Sequence, residues 1–245
     1  MADLGRVIEL WRYPVSSLGG ESVPSLPIGH GGADGDRIYG LVDAASGEIA
    51  SPDRNPKWHG APHIRGRLGA DRRLEVAMPG GGWLPAPDPA TDRALSGYLG
   101  FGVAIRPFEA GLPAGYDGPL STPRYDKAAV HLLTTASLAR LKALYPEGNP
   151  DRRRFRPTML VDVPPVDGSF PETEWIGRRL AIGGLELTIV EPCRRCGFTI
   201  IAQQDVESDA GILRSLVRHN RHNLGVYCRV DRPGRVEVGD AMRFL

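Results

Sequence analysis

The chain has 245 residues, with 30 basic and 29 acidic side chains and a formal net charge of +1 at pH 7. This length is sufficient to bury a full hydrophobic core, in one large domain or in two smaller ones. The near balance of charge excludes the basic footprint of a general nucleic-acid-binding protein. A local basic run at residues 152–156 is typical of a solvated loop. We therefore expect a globular protein that has no nucleic-acid partner.

The number of cysteines and the lack of long apolar runs indicate where in the cell the protein is located. Three cysteines cannot form a disulfide framework, and an odd number is typical of a reducing environment. The first seven residues lack the basic-then-apolar profile of a signal peptide. No apolar run approaches the roughly 18 residues of a membrane span. These features predict a soluble, cytoplasmic protein with no membrane partner.

Short strands dominate the predicted secondary structure, because 31 glycines and 22 prolines divide the chain into short segments. In chain order, the patterns predict strands at residues 6–13, 37–43, 65–68, 74–78, 185–190 and 225–230, β-rich residues at 198–201, and a last short strand after residues 236–240. Helical spacing of apolar residues appears at residues 91–99, 137–145 and 209–219. The fold class is therefore predicted to be mainly β with a few helices, of the α+β type.

A stretch rich in glycine and proline at residues 109–123 is the candidate domain boundary. It separates an N-terminal β-rich region, placed at residues 1–115, from a second domain at residues 116–245 that holds the paired cysteines.

The segment Glu191-Pro192-Cys193-Arg194-Arg195-Cys196-Gly197 is the best candidate for chemistry. It follows a predicted strand and places two thiols beside two guanidinium groups. Positive charge stabilises the thiolate, which is the form that attacks electrophiles and binds soft metals. We expect the reactive thiolate at Cys196, with Cys193 as its neighbour and Arg195 favouring the ionised form.

Other uses of these residues fit the pattern less well. A structural zinc site needs two more ligands, and His219, His222 and Cys228 do not have the spacing of a common zinc finger. A thioredoxin-like pair would stand at the start of a helix, whereas here β-rich residues follow. His131 lies in an apolar run and is predicted to be a hydrogen-bonded core histidine rather than a base.

Further segments occur in a fixed order over nearly the whole chain. They are Trp11-Arg12-Tyr13-Pro14-Val15-Ser16-Ser17, Gly35-Asp36-Arg37, Leu133-Thr134-Thr135-Ala136-Ser137-Leu138, Phe155-Arg156-Pro157, Leu224-Gly225-Val226-Tyr227 and Val238-Gly239-Asp240. Together with the cysteine segment, this ordered set resembles the MOSC family, the molybdenum-cofactor sulfurase C-terminal domain proteins.

The resemblance implies a MOSC-type β-barrel preceded by a smaller β-rich N-terminal region. It also implies similarity to the mitochondrial amidoxime-reducing component and its bacterial relatives, which hold molybdopterin-bound molybdenum through one cysteine. By position that cysteine is Cys196, which would be both the metal ligand and the catalytic residue. The phosphate and pterin of the cofactor would, by the same resemblance, contact Ser16, Ser17, Arg37, Asp126, Arg156, Arg195 and Tyr227.

The function implied by the resemblance is the reduction of N-oxygenated small molecules. Electrons would come from a separate electron-donor protein, because the sequence has no Fe–S, flavin or haem motif. Ser16 stands where many cofactor-binding members carry lysine, Thr158 where the family often has asparagine, and Arg194 where the animal enzymes have serine. These departures leave two alternatives open. One is metal-free sulfur transfer or carbon–sulfur bond chemistry at Cys196, and the other is a non-catalytic barrel that binds a small ligand.

Overall fold

The computed structural model describes residues 3–123, 130–165 and 168–245. The strands are β1 Gly5–Arg12, β2 Val15–Ser16, β3 Glu21–Val23, β4 Ser25–Gly29, β5 Gly32–Ala33, β6 Tyr39–Asp43, β7 Arg65–Leu68, β8 Leu74–Ala77, β9 Leu84–Ala86, β10 Val103–Pro107, β11 Val130–Thr134, β12 Met159–Asp162, β13 Arg179–Ile182, β14 Leu185–Arg194, β15 Asn223–Arg232, β16 Gly234–Glu237 and β17 Ala241–Phe244. The helices are α1 Pro89–Leu99, α2 Thr135–Leu144, α3 Pro171–Glu174 and α4 Ala210–Asn220. Short 3-10 helices lie at Pro56–Trp58, Ala61–His63, Glu109–Gly111, Arg152–Arg154 and Gly197–Ile200.

Seven strands close into a barrel in the order β12, β11, β15, β14, β13, β17, β1, and β1 completes the ring by pairing with β12. The β11–β12 pair is parallel, and the other pairs in the ring are antiparallel. Ring closure pairs the strand edges that an open sheet would expose. The predicted mainly β fold with a barrel is confirmed.

Side-chain alternation along β14 fills the barrel. Leu185, Leu187 and Ile189 are fully buried, whereas Glu186 and Thr188 between them are partly exposed. Successive side chains on a strand point to opposite faces, so every second residue enters the core. The same strand continues to Cys193 and Arg194, which places the start of the cysteine segment at one end of the barrel.

The N-terminal half of the sequence forms small sheets around a second core. These sheets are β10-β6-β2 and β7-β8-β9, and their core contains the fully buried Trp58. The two halves of the sequence also interleave, because β1 lies in the barrel between β12 and β17 and β4 pairs with β16. The division of the chain near residue 115 remains our proposal.

The predicted helices are present, and side chains cap the starts of α1 and α2. Asp88 caps α1 by accepting from the amides of Ala90 and Thr91, and Thr134 caps α2 by accepting from the amide of Ser137. Such caps satisfy amides that have no partner within the helix. α2 and α4 pack against each other through a third apolar cluster that includes Leu141 and Leu216. Among the described residues, no helix combines the length and the apolar character needed to cross a bilayer.

The basic run at residues 152–156 is not a solvated loop, so that prediction was wrong. Arg154 is only 2% exposed, and its guanidinium donates to the carbonyls of Asn149, Thr199 and Glu207. A buried guanidinium requires such acceptors to offset the loss of water. Arg154 therefore ties three segments of the chain together rather than facing solvent.

Candidate functional site

Cys196 is the exposed cysteine of the pair. It follows the end of β14 in extended backbone, and it precedes the 3-10 helix Gly197–Ile200. The β-rich pattern at residues 198–201 therefore predicted the wrong element. The next residue, Gly197, faces the carbonyl of Asp53, to which an added Cβ would lie at 3.4 Å. The thiol of Cys196 thus opens at the surface, where the N-terminal region meets the barrel.

Cys193 is buried, and it is in contact with Arg195. The sequence had instead indicated that Arg195 acts on Cys196. The sulfur of Cys193 accepts from Nη1 of Arg195 over 2.8 Å, and Nη2 of Arg195 donates to the carbonyl of Phe155. Cys193 has no exposed surface, and Arg195 is 9% exposed. Arg195 is therefore directed into the protein, onto Cys193.

Three neighbours counteract the effect of burial on Cys193. Burial raises the pKa of the thiol, but the charge of Arg195, the charge and hydrogen bond of His131 and the hydrogen bond of Tyr227 lower it to about 6. Burial, together with the Cys193 thiolate, raises the pKa of Tyr227 to about 12. Cys228, for comparison, has its pKa raised to about 12 by burial. An ionised sulfur is stabilised when positive charge and donors surround it.

Strand register explains how these groups meet. Tyr227 on β15 lies opposite His131 on β11 and opposite Glu191 on β14. The rings of His131 and Tyr227 are in edge contact, with centroids 5.6 Å apart. Nδ1 of His131 lies 3.2 Å from the carbonyl of Arg156. The predicted core histidine is thus buried and hydrogen-bonded, and it also links Cys193 to a second candidate site residue.

Ser16 ends the short strand β2, and Ser17 lies in the turn that follows it. Val15 and Ser16 pair in parallel with Tyr39 and Gly40 of β6. Ser17 has a φ of 69°, and its Oγ donates to the carbonyl of Ala50 over 2.9 Å. The left-handed region is costly for a residue with a Cβ and is often found at functional sites.

Arg37 and Arg156 contact one tyrosine that the sequence analysis did not select. Arg156 lies over the ring of Tyr13, 4.2 Å from its centroid, and Arg37 lies 5.4 Å from the same centroid. Both arginines have left-handed backbones, with φ of 50° for Arg37 and 52° for Arg156. Arg37 also pairs with Asp36. Burial raises the pKa of Tyr13 against the opposing charges of Arg156 and Arg37.

Contacts through Arg156 and Arg37 connect the two groups of residues. Arg156 reaches the carbonyl of Leu18 and lies 5.3 Å from the ring of Phe198, two residues after Cys196. The charge of Arg37 acts on Tyr227 and lowers its pKa against the effect of burial. These contacts link Arg37, Arg156, Arg195 and Tyr227 with the segment of Cys196, and Leu18, which follows Ser16 and Ser17, adjoins them through Arg156. Asp126 lies outside the described residues.

Sequence analysis missed Tyr13 and underestimated Cys193 and His131. The signal for Tyr13 is its position between Trp11-Arg12 and the turn at Pro14-Val15, where its ring can face two arginines. Across the described residues, no group of three or more His, Cys, Asp or Glu side chains could hold a metal ion. The zinc arrangement with His219, His222 and Cys228 therefore finds no support in the structure.

Comparison with known proteins gives matches along nearly the whole chain. The model of the MOSC domain matches residues 117–243, and the model of the MOSC N-terminal beta barrel domain matches residues 4–100. The YuaD protein from Bacillus subtilis has a similar fold, with a TM-score of 0.51, 14% identity, and coverage of 97% of this chain and 93% of that one. YiiM from Geobacillus stearothermophilus gives a TM-score of 0.35 and 13% identity, over 48% of this chain and 54% of that one. No curated protein matches the sequence.

Proposed function

Because the chain belongs to the MOSC domain family, we propose that it binds a molybdenum cofactor and reduces small N-oxygenated compounds. In this proposal Cys196 is the metal ligand. The observation that carries it is the position of the exposed Cys196 thiol at the end of the barrel where Arg37 and Arg156 converge on Tyr13. A thiolate suits a soft metal, and guanidinium forks suit phosphate.

The polar groups present at the site fit an anionic cofactor. The hydroxyl of Tyr13 and Nε of Arg195 are buried and have no hydrogen-bond partner among the described residues. Buried polar atoms are normally paired, so these two atoms could form hydrogen bonds with a polar ligand. Arg37 and Arg156 would supply positive charge beside these two polar atoms. Both arginines have left-handed backbones, a conformation that costs free energy in a residue with a Cβ.

The donor set also fits a metal that arrives with its own ligands. Cys196 offers one thiolate, and the described residues hold no cluster that could bind a bare ion. When bound, the cofactor would supply two-electron redox chemistry at its molybdenum. Ser16 gives this turn one positive charge fewer than a lysine would, and the exposed Arg194 lies next to the cysteine pair.

The proposed roles of the chain's own residues are binding and orientation. By the resemblance, the residues that would contact the phosphate and the pterin are Ser16, Ser17, Arg37, Asp126, Arg156, Arg195 and Tyr227. In the net reaction an N-hydroxylated substrate gains two electrons and two protons, its N–O bond breaks, and water leaves. The electrons would come from a separate electron-donor protein. The three free thiols suit a cytoplasmic location.

Metal analysis tests the proposal directly. The chain is purified from a host that makes the cofactor, and molybdenum and pterin are measured per mole of protein. We expect both in the unmodified protein and in Cys228→Ser, and a loss of molybdenum in Cys196→Ser. Absence of molybdenum from the unmodified protein would overturn the proposal.

Sulfur transfer is the second candidate, favoured by Ser16 and by the open position of Cys196. The Cys196 thiolate would take the outer sulfur of a donor persulfide, which leaves as a thiolate, so that Cys196 becomes the persulfide. Mass spectrometry of metal-free protein incubated with a small persulfide tests this. A sulfur adduct on Cys196 would support this function, whereas its absence, with molybdenum present, would support the first.

A further inference from the structure

Arg195 carries its charge in a nearly sealed position. Arg195 is only 9% exposed, and its backbone amide donates to the carbonyl of His222 over 2.7 Å. Burying an ionised group without a counterion is costly, so a buried guanidinium normally contacts an anion. The identity of that anion determines what keeps Arg195 in place.

The described part of the chain offers Arg195 no carboxylate. None of its ion pairs includes Arg195. The acceptors in contact with the guanidinium are the sulfur of Cys193, at 2.8 Å, and the carbonyl of Phe155. Of these two atoms, only the sulfur can carry a negative charge.

The groups around Cys193 favour an anion at that position. His131 faces the sulfur from β11, Tyr227 faces it from β15, and Arg195 faces it from its own segment. The charge of Arg37 acts on the same cluster through Tyr227. Among the residues that the structure describes, no acidic side chain opposes ionisation of the thiol, and Cys193 is the member of this cluster that becomes an anion at the lower pKa.

We propose that Cys193 is the buried counterion of Arg195 and, as a positioning residue, holds the guanidinium beneath the site in which Cys196 acts. Cys193 itself takes no part in bond making, since it has no exposed surface. That Arg195 contributes to a working site rests on the proposed function. The charge pairing does not, and it can be tested in protein without cofactor.

The pair of buried thiols in this chain supplies an internal comparison. Cys193 and Cys228 are both fully or almost fully buried. Burial raises the pKa of both thiols, but that of Cys193 falls to about 6 because Arg195 opposes the effect, whereas that of Cys228 rises to about 12. The charged surroundings, rather than depth alone, thus set the two thiols apart.

The first test is a titration of thiolate absorbance in the ultraviolet, using cofactor-free Cys196→Ser. We expect one thiolate with a midpoint near pH 6, unchanged by Cys228→Ser. Arg195→Met should raise the midpoint by more than one pH unit, a greater than tenfold loss of ionisation, and Arg195→Lys should raise it less. A midpoint near the ordinary value of 9.0 in Cys196→Ser itself would overturn the proposal, even where an arginine variant does not fold.

The second test asks whether the sulfur holds the guanidinium. Nuclear magnetic resonance follows the exchange of the Arg195 Nη protons with water in the unmodified protein and in Cys193→Ser. We expect at least tenfold faster exchange in Cys193→Ser, with no change in Cys228→Ser. Equal protection in all three proteins would overturn the positioning role. Lack of molybdenum would instead overturn the proposed function and leave both of these results standing.

Discussion

The backbone amide of Tyr13 donates to the carboxylate of Asp36 over 2.7 Å, although the two residues are 23 positions apart. The amide of Arg37 returns a hydrogen bond to the carbonyl of Tyr13 over 2.8 Å. Asp36 is 2% exposed and also pairs with the side chain of Arg37. These contacts fix the position of Tyr13 relative to Arg37, whose guanidinium lies 5.4 Å from the centroid of the ring.

We therefore expect Asp36→Ala to destabilise the protein by about 2–3 kcal/mol, because a buried amide and a half-buried guanidinium lose their acceptor. Unfolding in urea, followed by circular dichroism, measures the change. Asp34→Ala is the control, since Asp34 pairs with Arg72 at the surface, where ion pairs contribute little. Equal losses in the two variants would contradict this account of Asp36.

Gly225, which has no side chain, allows the backbone of β15 to lie close to the ring of His131. It has a φ of 76°, and an added Cβ would lie 2.8 Å from the carbonyl of Leu132 and even closer to Nε2 of His131. We expect Gly225→Ala to cost more than the roughly 1–2 kcal/mol of a left-handed alanine, since the imidazole must also move. Gly239→Ala is the control, because Gly239 has a positive φ but no atom within 4 Å of an added Cβ. Similar urea midpoints for the two variants would show that the clash with His131 is unimportant.

Glu172 predicts an effect of pH on stability. It is fully buried and accepts from Oγ1 of Thr134 over 2.8 Å and from Oγ of Ser137 over 2.5 Å. Burial raises its pKa above the ordinary 4.5, so the carboxyl binds a proton more tightly in the folded chain than in the unfolded chain. Its contribution to stability is therefore fully present below about pH 4.5 and is lost as pH rises through the folded value.

Glu172→Gln removes this titration while it keeps an oxygen that can accept from both hydroxyls. We expect the free energy of unfolding of Glu172→Gln to gain on that of the unmodified protein as pH rises above 4.5, by up to about 1.4 kcal/mol per pH unit until the folded pKa is passed. Urea unfolding at pH values from 4 to 8 measures the difference. A constant difference over that range would mean that Glu172 has an ordinary pKa.

The three cysteines should differ in access to a thiol reagent. Cys196 is exposed, whereas Cys193 and Cys228 are buried. Since alkylation requires contact with the sulfur, we expect iodoacetamide to modify Cys196 at least a hundredfold faster in the folded protein, as read by peptide mass spectrometry. Unfolding in denaturant should remove the difference. Rapid labelling of Cys193 in the native state would show that the residues covering its sulfur move aside in the folded protein.

The sequence predicted local elements well because short-range chemistry determines them. An apolar run indicated β14, and the helical spacing of apolar residues indicated α2 and α4. Arg154 shows the limit, since its acceptors come from Asn149, Thr199 and Glu207, which only tertiary folding brings together. The same limit explains why the apolar pattern after Cys196 predicted a strand where a 3-10 helix forms.

The pairing of Arg195 with Cys193 was within reach of sequence reasoning. Residues two apart on an extended chain point to the same face, whereas adjacent residues point to opposite faces. Cys193 and Arg195 satisfy that rule, and Cys196 follows on the other side. The convergence of Arg37 and Arg156 on Tyr13 was not within reach, because it depends on left-handed backbones far apart in the chain.

The position of β1 has a consequence for how the chain is made and divided. β1 lies between β12 and β17, so the ring cannot close until both of these later strands have been synthesised. Such long-range pairing is slow to form and exposes strand edges meanwhile. A fragment that begins at residue 116 would lack β1 and would leave the edges of β12 and β17 unpaired. Supplying residues 5–12 as a peptide should restore its solubility.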